Sequence, residues 1–391
     1  MSHIALYRRL RPQKFADVIG QEHIITTLQN QIKAKRISHA YLLSGTRGTG
    51  KTSTAKIFAK AINCSALADG EPCGICQSCE AIGSGFSVNA IEIDAASNNG
   101  VDNIREIREE VRYPPTMGYY KVYIIDEVHM LSTGAFNALL KTLEEPPAHV
   151  VFILATTDPQ KLPATILSRC QRYDFHRITT ETMAETLAQY AALENIKATP
   201  GALRFISQQS DGAMRDALSI LDQSRAFYDN QEITLEKVQE VVGAVDNTVL
   251  FDMADAFMAN DSGRCLHIID DIIIKGRDIS QFIHEMIHHF RNLMVAASVG
   301  HESYALDYSL ETIQKLQTQV ASVNQNTLIG WVKTFSELVG QMRYAPNERV
   351  LLEVTCIRLC HSETTSVHPA MLERLERLEK LVADGVPEKK K

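Results

Sequence analysis

The strongest constraint on the fold of this 391-residue chain is a glycine-rich segment that fits the pattern G-x-x-x-x-G-K-[ST]. An apolar run at residues 40–43 precedes it and predicts a buried strand, and the pattern at residues 53–62 predicts a helix. Backbone N–H groups at such a helix start, together with the helix dipole, attract phosphate. The residues expected to bind nucleotide phosphates are Gly45, Thr46, Arg47, Gly48, Thr49, Gly50, Lys51 and Thr52.

Within this segment, two side chains have predicted contacts of their own. Lys51 is expected to reach the β- and γ-phosphates, and the Thr52 hydroxyl is expected to ligate Mg²⁺. A simple glycine-rich turn is the alternative, and the flanking strand and helix patterns disfavour it.

Length and composition indicate a soluble globular protein of two or three domains, with 45% hydrophobic and 22% charged residues. No apolar run is long enough to span a membrane, and the N-terminus lacks an apolar signal core. We therefore expect a cytoplasmic protein with no membrane partner. The net charge of −7 argues against a surface that is basic throughout, but it allows a local basic patch that contacts nucleic acid.

Four of the eight cysteines lie within sixteen residues, with the spacing C-x8-C-x2-C-x2-C. They are Cys64, Cys73, Cys76 and Cys79. In a reducing cytosol such a cluster predicts a metal site, and four thiolates suit a closed, structural zinc site. An iron–sulfur cluster is the alternative, because the last three cysteines match the start of the ferredoxin pattern. Glu80 and Ala81 stand where that pattern would continue, which favours zinc over iron–sulfur or free thiols.

Residues 121–127 read as a buried strand that ends in two carboxylates. Asp126 is expected to hold Mg²⁺ through water, and Glu127 to orient and polarise the attacking water. A pair of surface acids at a strand end is the alternative. The next predicted strand, residues 149–155, ends beside hydroxyl side chains that can contact the γ-phosphate or the attacking water.

A predicted helix at residues 101–112 carries a basic stripe, Arg105, Arg108 and Arg112, beside its apolar stripe. Contact with DNA phosphates is one interpretation. A solvated face balanced by neighbouring glutamates is an equally good one on the residues alone.

From residue 180 onwards the pattern is helical, with one segment to about residue 242 and another from 243 to 362. His284 to His288 fit the zinc-protease pattern H-E-x-x-H. Arg291 stands where the extended metzincin pattern needs glycine, and Met286 and Phe290 indicate a buried helix face, so a protease is disfavoured. Residues 362–369 resemble a linker, and residues 371–381 an amphipathic helix.

Together these segments resemble the AAA+ ATPases, and most closely the gamma/tau family of bacterial DNA polymerase III clamp-loader subunits. Besides the glycine-rich loop and the cysteines, the resemblance rests on residues 7–12, 126–131, 142–147, 155–158 and 168–170. It implies an α/β AAA+ P-loop domain, which is a parallel sheet with helices on both faces and a zinc-binding insertion, followed by a helical lid domain and an all-α collar domain. The expected boundaries are 1–179 with the zinc module at 64–79, 180–242, 243–365, and a linker and tail at 366–391.

The resemblance also implies roles for individual residues. Arg169 would be an arginine finger that reaches the γ-phosphate of the ATP bound by a neighbouring subunit. Thr157 would supply the sensor-1 hydroxyl, and Arg215 would be the sensor-2 arginine of the lid. Val18 and Ile19 would line the adenine pocket. DNA would lie against helix starts near Asn98 and Arg105, which favours DNA contact for Arg105 and Arg108.

The implied activity is ATP hydrolysis within a DNA polymerase holoenzyme, which opens a sliding clamp and places it on primed DNA. ATP, Mg²⁺ and structural Zn²⁺ would be the cofactors. The partners would be delta and delta-prime subunits, copies of this chain, the clamp and the phosphate backbone of primed DNA. In the family a longer tau form binds polymerase and helicase through an extension, so a chain ending at Lys391 is expected to be the short form or a shortened chain.

Two other functions stay open. A related AAA+ DNA helicase or branch-migration motor would need no clamp. A scaffold that binds nucleotide without turnover would have no use for Glu127 and Arg169, which counts against it.

Overall fold

The computed structural model describes residues 4–85, 87–229, 231–242, 247–299, 310–321, 323–342 and 345–361. They fall into two compact units, which divide between Val241 and Val242. The expected linker and amphipathic helix beyond residue 361 lie outside the described residues. The boundary between P-loop and lid domains near residue 180 stays a prediction.

The first unit is built around one parallel sheet of five strands in the order β2-β3-β4-β1-β5. The strands are β1 (Ala40–Ser44), β2 (Ala90–Asp94), β3 (Lys121–Asp126), β4 (Val150–Thr156) and β5 (Gln171–Asp174). Ser44 pairs with Thr156, and Asp94 with Asp126, so the carboxyl ends of the strands meet at one edge. Residues that follow these ends are therefore brought together.

Helices lie against the sheet and extend beyond it. Those that precede residue 170 are α1 (Leu6–Arg9), α2 (Glu22–Lys33), α3 (Lys51–Asn63), α4 (Gln77–Ser84), α5 (Val101–Glu110), α6 (Thr133–Glu144) and α7 (Ala164–Leu167). Those that follow β5 are α8 (Thr180–Leu193), α9 (Pro200–Gln209), α10 (Met214–Tyr228) and α11 (Leu235–Val242). Single 3₁₀ turns form at Phe15–Asp17, Val128–Met130 and Pro159–Lys161.

Two apolar clusters show why the sheet has helices on both faces. Tyr123 and Phe152 pack with Phe136 of α6 on one face, and Tyr41 packs with Phe58 of α3 on the other. Every residue of β1 and β4 is buried, as expected for parallel strands with both faces covered. The predicted parallel sheet with helices on both faces is confirmed.

Three local differences from the sequence predictions have physical causes. Strand β5 has the polar sequence Gln-Arg-Tyr-Asp and pairs only with β1, so it carries no apolar signal. Helix α3 begins at Lys51, two residues earlier than predicted, directly after the last glycine of the loop. Strand β3 ends at Asp126 rather than at residue 127, because Glu127 takes a left-handed backbone conformation with φ of 47°.

The second unit is helical wherever it is described. Its helices are α12 (Asn247–Met258), α13 (Ser262–Ile274), α14 (Ile279–Val299), α15 (Leu310–Val320), α16 (Gln325–Met342) and α17 (Glu348–Cys360). At the centre of its core, the rings of Phe257 and Phe290 lie 6.0 Å apart, and each lies 5.2–6.0 Å from the rings of Trp331 and Phe335.

The H-E-x-x-H segment belongs to this core rather than to a metal site. Met286 and Phe290 are fully buried, while His284 is exposed and its Nδ1 donates to the Ser280 carbonyl at 2.7 Å. Within the described residues, the four cysteines near residue 70 are the only group of three or more potential metal ligands that lie close enough together to hold one ion. Among the described helices, none combines the length and apolar character needed to cross a bilayer.

Candidate functional site

The glycine-rich loop joins β1 to α3 at the carboxyl edge of the sheet. The Gly45 amide donates to the Thr156 carbonyl at 3.2 Å, which ties the loop to the end of β4. A Cβ on Gly45 would lie 2.6 Å from the Phe175 carbonyl oxygen, so the close approach to the chain after β5 requires glycine. The loop thus leads into the first turn of α3, and the N–H groups at a helix start can bind an anion.

The side chain of Lys51 is folded into this loop. It is 6% exposed, and its ammonium donates to the Gly45 and Thr46 carbonyls, each at 2.8 Å. Burial lowers the pKa of Lys51, while the carboxylates of Glu127 and Asp126 oppose that shift. A cation therefore lies at the position where the sequence predicts contact with the β- and γ-phosphates.

Thr52 and Asp126 provide a pair of oxygen ligands. The Thr52 hydroxyl donates to Asp126 Oδ2 at 2.7 Å, across the gap between α3 and the end of β3. Hydroxyl and carboxylate oxygens are the hard ligands that Mg²⁺ prefers, so the donor set fits a magnesium ion bound together with nucleotide phosphates.

Glu127 is held beside the end of β4. Its carboxylate accepts from the Thr157 hydroxyl at 3.0 Å and from the Thr157 amide at 3.3 Å. His129 Nδ1 lies 3.4 Å from the same carboxylate and 3.0 Å from the Thr156 hydroxyl. The fold therefore brings Thr157 to Glu127, and it adds His129, which the sequence reasoning missed although it follows the acid by only two residues.

A cavity of about 940 Å³ opens over the loop, within the size range of small-molecule sites. The predicted residues that line it are Val18, Ile19, Arg47, Gly48, Thr49, Gly50, Lys51, Thr52, Asp126, Glu127 and Arg215. Thr157 and Arg169 are not among the described lining residues. The expected adenine-pocket residues and the expected sensor-2 arginine thus share one cavity with the phosphate loop.

Arg215 reaches this cavity from the first turn of α10. Its guanidinium lies 4.9 Å from the centroid of the Tyr7 ring, and Tyr7 also lines the cavity. The spacing is that of a cation–π contact. Tyr7 is a further residue that sequence reasoning did not assign, although it opens one of the segments that carry the family resemblance.

Arg169 has a different environment. Its Nη2 pairs with Glu144 Oε1 at 2.9 Å, and its Nη1 donates to the Thr165 carbonyl at 2.9 Å and to the Ser168 hydroxyl at 3.2 Å. The side chain is one-third exposed. Its contacts are with α6 and α7, so the structure does not bring Arg169 to the nucleotide residues of its own chain.

The four cysteines form a compact cluster. The Sγ atoms of Cys64, Cys73, Cys76 and Cys79 all lie within 4.8 Å of one another. The amides of Cys73 and Cys76 point at sulfur, at 3.3 Å from Cys64 Sγ and 3.3 Å from Cys73 Sγ. Burial opposes ionisation of Cys76, but hydrogen bonds from the backbone of Cys79 and Ser65 outweigh it and lower its pKa to about 6. Four sulfurs at this separation fit a tetrahedral Zn²⁺ site.

The candidate DNA residues contact acidic side chains or backbone groups of residues close to them in the sequence. Arg105 pairs with Asp102 at 2.9 Å, Arg108 lies 3.5 Å from Glu109, and Arg112 pairs with the same glutamate at 3.1 Å. Asn98 Nδ2 donates to the Asp94 carbonyl at 3.1 Å. These pairs favour the solvated-face interpretation of the stripe, and DNA contact stays a prediction.

Family models match most of the chain. The model for "DNA polymerase III, delta subunit" matches residues 20–179, the "DNA polymerase III clamp loader subunit, ATPase lid domain" matches 182–230, and "DNA polymerase III subunits gamma and tau domain III" matches 233–375. The Bacillus subtilis DNA polymerase III subunit tau is 42% identical over 389 residues, which cover 98% of this chain and 68% of that protein. The chain belongs to the gamma/tau family of DNA polymerase III subunits.

Other gamma/tau relatives extend the same finding. The Escherichia coli subunit tau is 39% identical over 95% of this chain and 56% of that protein. The Buchnera aphidicola subunit gamma is 34% identical over 92% of this chain and 99% of that protein. The family prediction is confirmed, and so is the series of P-loop, lid and C-terminal helical regions.

Among solved structures, the Thermotoga maritima RuvB Holliday junction branch migration motor aligns with a TM-score of 0.47 and 19% identity. The alignment covers 64% of this chain and 79% of RuvB. The Bacillus subtilis DNA clamp loader delta protein aligns with a TM-score of 0.39 and 13% identity, over 86% of this chain and 99% of that one.

Proposed function

We propose that this gamma/tau chain is the ATP-hydrolysing motor of a DNA polymerase III clamp loader. The observation that carries the proposal is the meeting of Lys51, Thr52, Asp126 and Glu127 at the carboxyl edge of the sheet, below a cavity of nucleotide size. Family membership gives this site its context. In the proposed cycle, bound ATP opens a sliding clamp, and hydrolysis on primed DNA lets the clamp close.

Several residues of the cavity, together with Thr157, have proposed parts in binding or in hydrolysis. Lys51 and the amides at the start of α3 bind the phosphates, and Val18 and Ile19 contact the adenine. Thr52 and Asp126 hold Mg²⁺, which neutralises phosphate charge when bound. Glu127 orients the attacking water and accepts its proton, while the Thr157 hydroxyl fixes the position of that carboxylate. Arg215 adds positive charge from the side of α10.

Arg169 is proposed to complete the site of a neighbouring subunit. Its contacts with Glu144 and α7 keep it on a surface separate from the described lining of its own cavity. A cation in that place stabilises phosphate charge only if another chain brings its nucleotide to it. Copies of this chain and delta-type subunits are the proposed neighbours, and the clamp and primed DNA are the proposed substrates.

The cysteine cluster is proposed to hold one structural zinc ion. Backbone amides that point at sulfur and the four-sulfur donor set support zinc. Metal analysis of protein purified without chelator should give one zinc per chain and no iron. A brown protein with visible charge-transfer absorption would support the iron–sulfur alternative instead.

The decisive test of the motor is the ATPase rate with primed DNA and clamp together, compared with each alone. A clamp loader should respond most strongly to the two together, because the complete substrate is a clamp placed on a primer junction. The helicase alternative predicts strand unwinding or branch migration with no clamp present. A rate that neither DNA nor clamp changes, in the assembled complex, would contradict the proposal.

A further inference from the structure

One contact between the cysteine segment (residues 64–84) and the nucleotide domain is made by a carboxylate. Glu71, between Cys64 and Cys73, accepts hydrogen bonds from the Phe15 amide at 2.9 Å and the Ala16 amide at 3.0 Å. It also accepts from Gln29 Nε2 at 2.9 Å. Phe15 and Ala16 open a 3₁₀ turn, and the first amides of such a turn have no partner within it. A side chain of the cysteine segment therefore caps this turn.

The capped turn leads directly to the cavity. Phe15 is fully buried in the core beneath α2 and α3, which anchors the start of the turn. Three and four residues later, Val18 and Ile19 line the cavity. Val18 Cγ1 lies 3.7 Å from the position of a Cβ on Gly50, so it lies beside the phosphate loop. A shift of the turn would move the residues proposed to contact adenine.

Lys60 makes a second link between the same two segments. This residue of α3 is 5% exposed, and its ammonium donates to Gln13 Oε1 at 2.7 Å. Gln13 lines the cavity, and the same ammonium lies 3.2 Å from the position of a Cβ on Gly83 of α4. The cysteine segment is therefore linked to residues 13–19 at two places. Glu71, which precedes Cys73, contacts them directly, and α4 contacts Lys60, which binds Gln13.

We infer that Glu71 is a positioning residue for the base end of the nucleotide, through which the four-cysteine segment sets the affinity for ATP. This inference rests on the proposed function, since it requires ATP in the cavity. Glu71 contacts the turn before Val18 and does not contact the phosphate loop. Its loss should therefore weaken contacts with adenine and leave the phosphate contacts of Lys51 unchanged.

Two ligands distinguish the contacts that the protein makes with the base from those that it makes with the phosphates. Calorimetric titration with Mg·ATP and with magnesium tripolyphosphate, which has the phosphates but no base, should be made on wild type and on Glu71→Ala. We expect Glu71→Ala to bind ATP about tenfold more weakly and tripolyphosphate within about twofold of wild type. Glu71→Gln keeps one acceptor oxygen and should fall between the two. Glu80→Gln, which changes an exposed carboxylate of the same segment, is the matched control and should leave both affinities unchanged.

Metal removal gives an independent arm of the test. Chelation of the cysteine metal in wild type should weaken ATP binding as Glu71→Ala does, and spare tripolyphosphate. Applied to Glu71→Ala, it should add little, because the inference assigns the coupling to the Glu71 contacts that this variant has already lost. Equal losses for both ligands would show a general loss of structure, and unchanged ATP affinity would show no coupling; either result overturns the inference. If wild type bound neither ligand, the proposed function itself would fail.

Discussion

Arg215 and Arg169 are both candidate partners of a triphosphate, but the fold places them in opposite kinds of surroundings. Arg215 lines the cavity and lies over the Tyr7 ring, with its own phosphate loop beside it. Arg169 pairs with Glu144 and with the backbone of α7, and it is not among the described lining residues. In the mechanism that we propose, one site therefore uses two arginines of different origin: Arg215 acts within its own chain, and Arg169 acts only between chains.

The largest expected effect is that of Arg169→Ala. An arginine finger acts mainly on charge that develops during reaction, so ATP binding should stay near normal while the hydrolysis rate falls by about 10³–10⁵-fold, the range known for GTPases. Arg172→Ala is the matched control, since Arg172 is a nearby exposed arginine that pairs with Asp174. Turnover and fluorescent-ATP binding of the assembled complex are the measurements.

Mixing variants then tests whether Arg169 acts between chains. Arg169→Ala chains keep a sound cavity, and Lys51→Ala chains keep a sound Arg169. A mixture of the two should therefore regain part of the ATPase activity. Wild-type activity per chain should also rise with protein concentration. Two results would contradict a role of Arg169 between chains. One is a mixture that stays inactive although the chains co-assemble, and the other is an Arg169→Ala variant that hydrolyses ATP as fast as wild type.

Glu127→Gln should have the next largest effect. Its carboxylate acts on water during the reaction, so we expect turnover to fall by about 10²–10⁴-fold with ATP still bound. Lys51→Ala provides the contrast, because Lys51 contacts phosphate in the ground state and its loss should abolish binding. Equilibrium binding and single-turnover hydrolysis distinguish the two variants. Normal ATP binding by Lys51→Ala would contradict the assignment of this cavity as the ATP site and of Lys51 as its phosphate-binding residue.

Arg215→Ala should reduce ATPase activity less than the preceding variants do. Mixing it with another variant should not restore that activity. One charge-assisted contact with phosphate is lost, which predicts a fall of about 10- to 100-fold in kcat/KM. In a mixture with Lys51→Ala chains, every cavity still lacks either Arg215 or Lys51, so activity should not exceed that of Arg215→Ala alone. Restoration comparable to that of Arg169→Ala would show that Arg215 also acts between chains.

The smallest effect is expected from Arg105→Ala on DNA binding. If Arg105 contacts phosphate, its loss should weaken binding about equally for all DNA sequences and reduce the salt slope by roughly one unit. The intrahelical pair with Asp102 competes with such a contact. Arg36→Ala, at an exposed position elsewhere, serves as the control. An unchanged salt slope would assign the stripe to the solvated face.

Local patterns were enough to predict most of the fold. The apolar runs of β3 and β4 and the glycine-rich loop have short-range signals, and the structure brings Lys51, Thr52, Asp126 and Glu127 together as they imply. Strand β5 was not predicted, because its sequence is polar and its strand conformation depends on pairing with β1. No periodicity distinguishes a side chain that acts within a cavity from one that acts outside it.

The contacts that decide position are distant along the chain. Glu71 and Phe15 are 56 residues apart, and Arg169 and Glu144 are 25 apart. Tyr7 meets Arg215 only because α1 packs against α10. Such pairs depend on the complete tertiary arrangement, and a single sequence holds no local signal for them.

The meeting of the phosphate loop and α10 has a mechanical consequence. Gly48 has φ of 78°, and a Cβ there would lie 2.9 Å from Ala213 Cβ, so the loop backbone rests directly on the residue that precedes α10. Helix α10 would therefore act as a lever if it tilted about its contact with the phosphate loop. It has 15 residues and is about 22 Å long, so a tilt of about 10° at the pivot moves its far end, near Tyr228, by roughly 4 Å. A small rearrangement of the loop that tilted the helix in this way would be magnified into a displacement large enough to change which surfaces meet.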